Sequence, residues 1–230
     1  MKKLFAMLFV LLIALSACGL ADTEITAQGS AVLTADPDLA RVSCGANVRA
    51  GSVAQAQQKV TAVIEQVTAR LEALGIAKED IVTDYYGYYP VYDYSDPQGE
   101  PEITGYQANH SLVVTCRDVS MLDEVISAMS DGGMTEFNSI AFDCTGRHEL
   151  YLEALKRAVE AAREKAGVLA AASGLTLGET EKVTENAVYD TVYEGASTDA
   201  AMESKRAQGT GIRSGSVNVA ASVTVQFEAR

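Results

Sequence analysis

The 230-residue sequence has no tryptophan, four prolines, four cysteines and two histidines. Two histidines cannot build a three-histidine zinc site. The low proline content, with 48% hydrophobic and 21% charged residues, excludes collagen-like and low-complexity chains and indicates a folded globular protein. Basic residues are also scarce: 18 Lys and Arg stand against 31 Asp and Glu, a formal net charge of −13. A surface of that sign repels phosphate backbones, so nucleic acid is not an expected partner. The patterns G-x-S-x-G, H-E-x-x-H, G-x-x-x-x-G-K-[ST] and C-x-x-C are missing as well. With them go the usual signs of a hydrolase nucleophile, a zinc protease, a phosphate loop and a redox dithiol. No enzymatic activity and no cofactor is expected.

Long hydrophobic runs are absent with one exception. After Lys2-Lys3, the stretch Leu4 to Leu15 carries no charge and leads into Ser16 and Ala17. A spanning helix needs roughly 20 apolar residues, and this run is shorter, so residues 1–17 are expected to be a secretory leader. Leu15-Ser16-Ala17-Cys18 resembles the lipobox of bacterial lipoproteins. That resemblance implies a diacylated Cys18, a tether over residues 18–23 and a body anchored to a membrane of the cell envelope, outside the cytosol. Each buried methylene of an acyl chain contributes about 0.8 kcal/mol, so two or three chains suffice without a spanning helix. An ordinary leader with an incidental Cys18 is the simpler alternative.

Periodicity divides the body, residues 24–230, into seven strands and three helices. Strands are expected at 24–35 and 39–49, flanking the turn residues Asp36-Pro37-Asp38, and a hairpin is the simplest way to join them. Val60, Val63, Ile64, Val67, Leu71 and Leu74 form a helical stripe between Ser52, a candidate N-cap, and Gly75. Strands at 81–94 and 103–117 follow, the first interrupted by Pro90 and so placed at an edge or bulge. A short helix carries Leu122, Val125, Ile126 and Met129. A strand over 137–145 precedes an alanine-rich helix over 149–173, with Leu155, Val159, Ala162, Ala166 and Leu169 facing inward. A strand within 175–190, a mobile loop near 194–215 and a clearly alternating strand from Val217 to Phe227 complete the chain. The expected class is α+β, a largely antiparallel sheet of paired hairpins with three helices packed on it.

Few residues offer chemistry. His110 falls on a strand and His148 at a helix start, where the helix dipole disfavours a cationic imidazole. Cys44, Cys116 and Cys144 fall on the apolar phase of strands and are expected as core residues. A disulfide, or an exposed redox-sensing thiol beside a cation, is the alternative. Asp84, Asp93, Asp96, Glu100 and Glu102 cluster without EF-hand spacing, so no metal is expected. The most distinctive feature is the run Tyr85, Tyr86, Tyr88, Tyr89, Tyr92 and Tyr94, six of the ten tyrosines. Tyrosine supplies rigid amphipathic contact area, making this the candidate interaction surface for another subunit or an envelope partner.

Several short motifs occur in a recognisable order: Asp38-Leu39-Ala40-Arg41-Val42-Ser43 after a strand bearing Gly29; Leu74-Gly75-Ile76; Asp80-Ile81-Val82-Thr83; and Gly105-Tyr106-Gln107-Ala108. Lys165-Ala166, Leu169-Ala170, Gly174-Leu175 and Leu177-Gly178 continue it. The set resembles SIMPL-domain (DUF541) proteins from roughly Glu24 to Phe227. The resemblance implies a periplasmic or outer-membrane protein, self-assembly into homo-oligomers and a link to oxidative-stress tolerance, with no catalytic motif to carry over. An unrecognised envelope hydrolase built from dispersed residues, or a thiol-based oxidative-stress component, are the rival readings.

Overall fold

The computed structural model describes residues 23–95, 100–186 and 212–230. The expected leader, Cys18, nearly all of the tether and most of the loop near 194–215 lie outside the described residues. Seven strands and three helices form two sheets, each within its own compact unit.

One unit draws on residues 34–148. Its sheet runs in the order β3 (Ile81–Asp93), β4 (Glu102–Cys116), β2 (Leu39–Ala50), β5 (Glu136–Asp143), with every neighbouring pair antiparallel. Helix α1 (Val53–Ala73) starts where Ser52 Oγ accepts the Gln55 amide at 3.3 Å and ends before Gly75, whose φ of +90° is open to glycine without strain. Helix α2 (Leu122–Asp131) follows a 3-10 turn capped by Asp118, whose Oδ1 accepts the Ser120 amide. Both helices bury their stripes on one face of the sheet: Val60, Val67 and Leu71 of α1 and Leu122, Val125 and Met129 of α2 meet Val42, Cys44, Leu112 and Val114. Each large side chain buried there contributes about 1.5–3 kcal/mol.

The other unit has the sheet β1 (Thr23–Ala35), β7 (Val217–Ala229), β6 (Leu177–Asn186) and helix α3 (Arg147–Ala172). On β7 every second residue from Val217 to Ala229 is buried, the alternation expected from its sequence. The α3 stripe differs from expectation. Ala154, Ala158, Ala162, Ala166 and Ala170 are the buried positions, Leu155 and Val159 are only partly buried, and Leu169 is exposed. The cause is close approach: a Cβ on Gly29 of β1 would stand 1.8 Å from the Ala158 carbonyl oxygen and 2.5 Å from the Ala162 amide nitrogen. A helix that near a strand admits nothing larger than alanine.

The expected β1–β2 hairpin is not formed. Both sides of β2 are occupied, by β4 and by β5, while β1 pairs with β7 in the other sheet. The Asp36-Pro37-Asp38 corner therefore passes the chain between sheets. Asp38 is held by the end of β5: its amide donates to the Asp143 carbonyl at 3.1 Å, and its carboxylate accepts from the Thr145 amide at 2.8 Å and hydroxyl at 2.5 Å.

Gly29→Ala is expected to cost about 3 kcal/mol or more, because the added methyl meets backbone atoms. Gly167→Ala, at an open helical position, is expected to stabilise by about 0.5–1 kcal/mol. Denaturant midpoints of the full-length variants measure both; a neutral Gly29→Ala would contradict the close approach.

Candidate functional site

Five of the candidate interaction residues lie on the edge strand β3 and Tyr94 directly follows it; all six tyrosines are exposed, from 42% at Tyr89 to 72% at Tyr94. Alternation alone would expose about half. Helix α1 packs mainly over β2 and β4, so β3 projects past its cover and even its helix-side rings meet solvent. Register separates two sets. Tyr86 and Tyr88 lie opposite His110 and Ala108 on the helix side, whereas Tyr85 and Tyr89 lie opposite Ser111 and Gln107 on the open side. Register shifts between Thr83 and Tyr85 and between Val91 and Tyr92 place bulges near both ends, the second adjoining Pro90 as expected of an edge strand.

The open side carries a polar ladder. Arg49 Nε donates to Gln107 Oε1 at 2.7 Å, and Gln107 Nε2 donates to the Tyr89 hydroxyl at 2.5 Å. Asn109 Nδ2 reaches the same hydroxyl at 3.4 Å, while Asn109 Oδ1 is buried without a hydrogen-bond partner. Gly87 matters through the space it leaves. A Cβ there would sit 2.2 Å from the Tyr85 hydroxyl oxygen and 2.7 Å from Cζ, so the Tyr85 ring lies down over a position only glycine vacates.

The remaining candidates are dispersed. Burial pushes the Cys44 thiol up to about 11, and its Sγ lies 3.4 Å from Met129 Sδ. Cys116 is raised by burial despite donating to the Asp118 carbonyl at 3.0 Å. Cys144 lies beside Arg147, the kind of cation a reactive thiol requires, yet burial and the Asp143 carboxylate raise it against that pull. All three are buried and unpaired, as expected of core residues. His110 Nε2 shares a hydrogen with Thr83 Oγ1 at 3.0 Å, and the Tyr86 ring meets it edge-on with centroids 5.2 Å apart. Burial lowers its pKa, and Nδ1 has no partner, so the imidazole is neutral near pH 7. His148 is exposed at the start of α3. Among the described residues no three His, Cys, Asp or Glu side chains converge as a metal site, and no helix is long and apolar enough to cross a membrane.

Two carboxylate clamps were not evident in the sequence. Asp143 accepts from Arg41 Nη1 at 2.8 Å, from Arg147 Nε at 2.6 Å and from the Cys144 amide at 2.9 Å. Asp80 takes Arg117 through two bonds of 2.7 Å. The signal was Arg41 and Asp80 standing inside the ordered motifs, but their partners are far away in the chain. Burial alone would raise the Asp143 pKa; the bonds from Arg147, Arg41 and the Cys144 amide outweigh it and hold the carboxyl below its ordinary value. Its folded pKa being depressed, the stabilisation is present above about pH 4 and is lost as pH falls through the folded value. Asp143→Asn is expected to cost on the order of 2 kcal/mol at neutral pH, less than a fully buried pair because Arg41 is half exposed. The gap from the unaltered protein should close in acid; a gap independent of pH in urea titrations would contradict the clamp.

Comparison with known proteins gives a consistent family assignment. The chain is 30% identical over 168 residues to the 26 kDa periplasmic immunogenic protein of Brucella melitensis, covering 70% of this chain and 66% of that protein. It is 29% identical over 147 residues to the uncharacterized protein YggE of Escherichia coli K12, covering 64% and 59%. The YggE protein of Edwardsiella ictaluri is 26% identical over 156 residues, covering 67% and 64%. The match thus spans somewhat less than two thirds of these relatives' own length. A family model described as SIMPL, protein of unknown function (DUF541), matches residues 25–227, both sheets and all three helices, and the chain belongs to that family.

Proposed function

We propose that this protein is a non-enzymatic, lipid-anchored module of the cell envelope that acts through contacts made by β3, self-association among them. The observation that carries the reading is the exposure of six tyrosines, five along one edge strand and Tyr94 just past its end. Soluble monomers rarely leave so much contiguous aromatic surface in water, and tyrosine is enriched where proteins meet. An extracytoplasmic location is supported by the relative named as a periplasmic protein and by the leader-like residues 1–17. The lipobox-like Leu15-Ser16-Ala17-Cys18 supports the anchor. A part in oxidative-stress tolerance would run through a partner, since burial disfavours the thiolate at Cys44, Cys116 and Cys144.

The hydrolase reading is weaker on chemical grounds. Thr83 and His110 make a hydroxyl–imidazole pair, but no carboxylate holds His110 Nδ1 in the orientation a general base needs.

Sedimentation of the full chain in density-matched detergent is expected to give a multiple of the protomer mass, falling toward one protomer when Tyr86 and Tyr88 become Ser. Because the chain carries a net charge of −13, assembly should strengthen with added salt. One protomer at every concentration and salt level would contradict self-association. Mass spectrometry of protein from native cells is expected to find diacylated Cys18 as the first residue; an intact leader would contradict the anchor.

A further inference from the structure

Among the described residues four strands stand at sheet edges, β1 and β6 in one sheet and β3 and β5 in the other. A strand edge offers unpaired N–H and C=O groups, and proteins guard such edges with charge, proline, bulges or shortness. Three of the four are guarded. β3 has Pro90 and two register shifts, β6 has two register shifts and the charges Glu179, Glu181, Lys182 and Glu185, and β5 runs for only 8 residues. β1 is 13 residues long, has no proline, and carries no charge from Ile25 to Ala35.

The side chains of Thr26, Gln28, Ser30, Val32 and Thr34 are all exposed, Val32 by 60%. Two side-chain bonds at opposite ends of β1 run it antiparallel to β7: Gln226 Nε2 donates to Glu24 Oε2 at 3.3 Å, and Thr34 Oγ1 to Asn218 Oδ1 at 2.9 Å. In an antiparallel strand the N–H and C=O of one residue point the same way, and successive residues face opposite edges. The Thr176 and Arg230 backbones exchange both bonds, so Arg230 faces β6 and, by alternation along β7, so do Gln226 and Asn218. The β1 residues beside them, the even-numbered set, therefore turn their backbone groups away from β7. Lys165 gives the same answer independently. It belongs to α3, not to the sheet, and its Nζ donates to the Gln28 carbonyl at 3.0 Å, so this edge already accepts a donor from outside.

What completes such an edge is another strand, held by main-chain bonds. Charge selects its source. Glu24 and Asp36 flank the neutral stretch, and the whole chain carries a net charge of −13. A second copy would bring its own acids to the same ends, whereas a neutral strand ended by basic residues meets them favourably.

We propose that the outer edge of β1 is a strand-addition site for an extended, uncharged segment of a partner polypeptide with a basic residue at each end. The site lies in a different sheet from β3 and stands or falls apart from the contacts made there.

The probe is a capped peptide of about eleven residues, alternating threonine and valine with lysine at both ends, long enough to span Ile25 to Ala35. Added to the full chain in detergent, the labelled peptide is expected to saturate by fluorescence anisotropy with a Kd of about 0.1 mM or tighter. At saturation, amide hydrogen exchange should slow about tenfold at Thr26, Gln28, Ser30 and Val32, and change little at Ala27, Gly29 and Ala31, whose amides face β7. A peptide N-methylated along one edge, and one ended by glutamates, should each bind about tenfold more weakly. Thr26→Pro removes one outward N–H and should weaken binding to a similar degree. Val32→Lys places a charge on an exposed side chain, leaves the denaturant midpoint unchanged and should do the same, so it carries the test if the proline variant does not fold. No saturation at about 1 mM, equal binding of the N-methylated peptide, or unchanged exchange along β1 would overturn the proposal. Sedimentation separates the occupants. If Val32→Lys lowers the protomer number, the edge is taken by a second copy and the partner-strand site fails while self-association stands. If the peptide binds a chain that is one protomer at every concentration, the β1 site stands and self-association through β3 fails.

Discussion

Packing of α1 and α2 on one face of the four-stranded sheet is the constraint from which the rest of that unit follows. Burial of α1 and α2 against β2 and β4 makes a dry layer, and whatever falls in it loses its polar chemistry: Cys44 and Cys116 have raised thiol pKa values and His110 is kept neutral. The opposite face of the sheet carries Arg41, Asn47, Arg49 and Gln107. Strand β3 lies beyond the main helix cover, so its side chains are released from packing on both sides. Tyrosines at such positions add little to the core. Their exposure is the observation on which the proposed interaction role rests.

The motifs shared with the SIMPL family have a physical reading in this light. Asp38 holds Thr145, Arg41 holds Asp143, and Asp80 holds Arg117, each joining a turn or strand end to a distant segment. Leu74-Gly75-Ile76 is a helix terminator, Gly29 admits a helix backbone, and Lys165 donates to the Gln28 carbonyl at 3.0 Å. Gly105 leaves room for the Ala50 carbonyl, 2.9 Å from where its Cβ would lie. These are devices of architecture. They explain how a recognisable pattern extends along the chain without marking a reaction centre, and they give the sheet the rigidity that a presented strand requires.

Much of this was legible in the residues because the signals are local. The order of seven strands and three helices, the Ser52 cap, the Gly75 stop, the edge character given by Pro90 and the alternation of β7 all follow from spacing within one element. What was not legible is long-range. Asp36-Pro37-Asp38 has the composition of a hairpin turn, and only the occupation of both sides of β2 by β4 and β5 sends β1 elsewhere. Leucine and valine outrank alanine as core residues, and only the approach of Gly29 reverses that order on α3. Likewise the tyrosine run was visible, but alternation implies that half its rings are covered; the position of β3 relative to α1 decides otherwise. Cys18 and residues 1–17 lie outside the described residues, so their reading rests on sequence.

The central claim is that the tyrosines of β3 are open in the isolated protein because something else covers them in the cell. Acetylation of tyrosine hydroxyls followed by mass spectrometry tests it directly, comparing the purified full chain diluted to its smallest species with the same protein in intact envelopes. The account predicts rapid modification at Tyr85, Tyr86, Tyr88, Tyr89, Tyr92 and Tyr94 in the first case and protection of most of them in the second, with half-buried Tyr106 as the internal reference. Equal modification of all six in both states would contradict it.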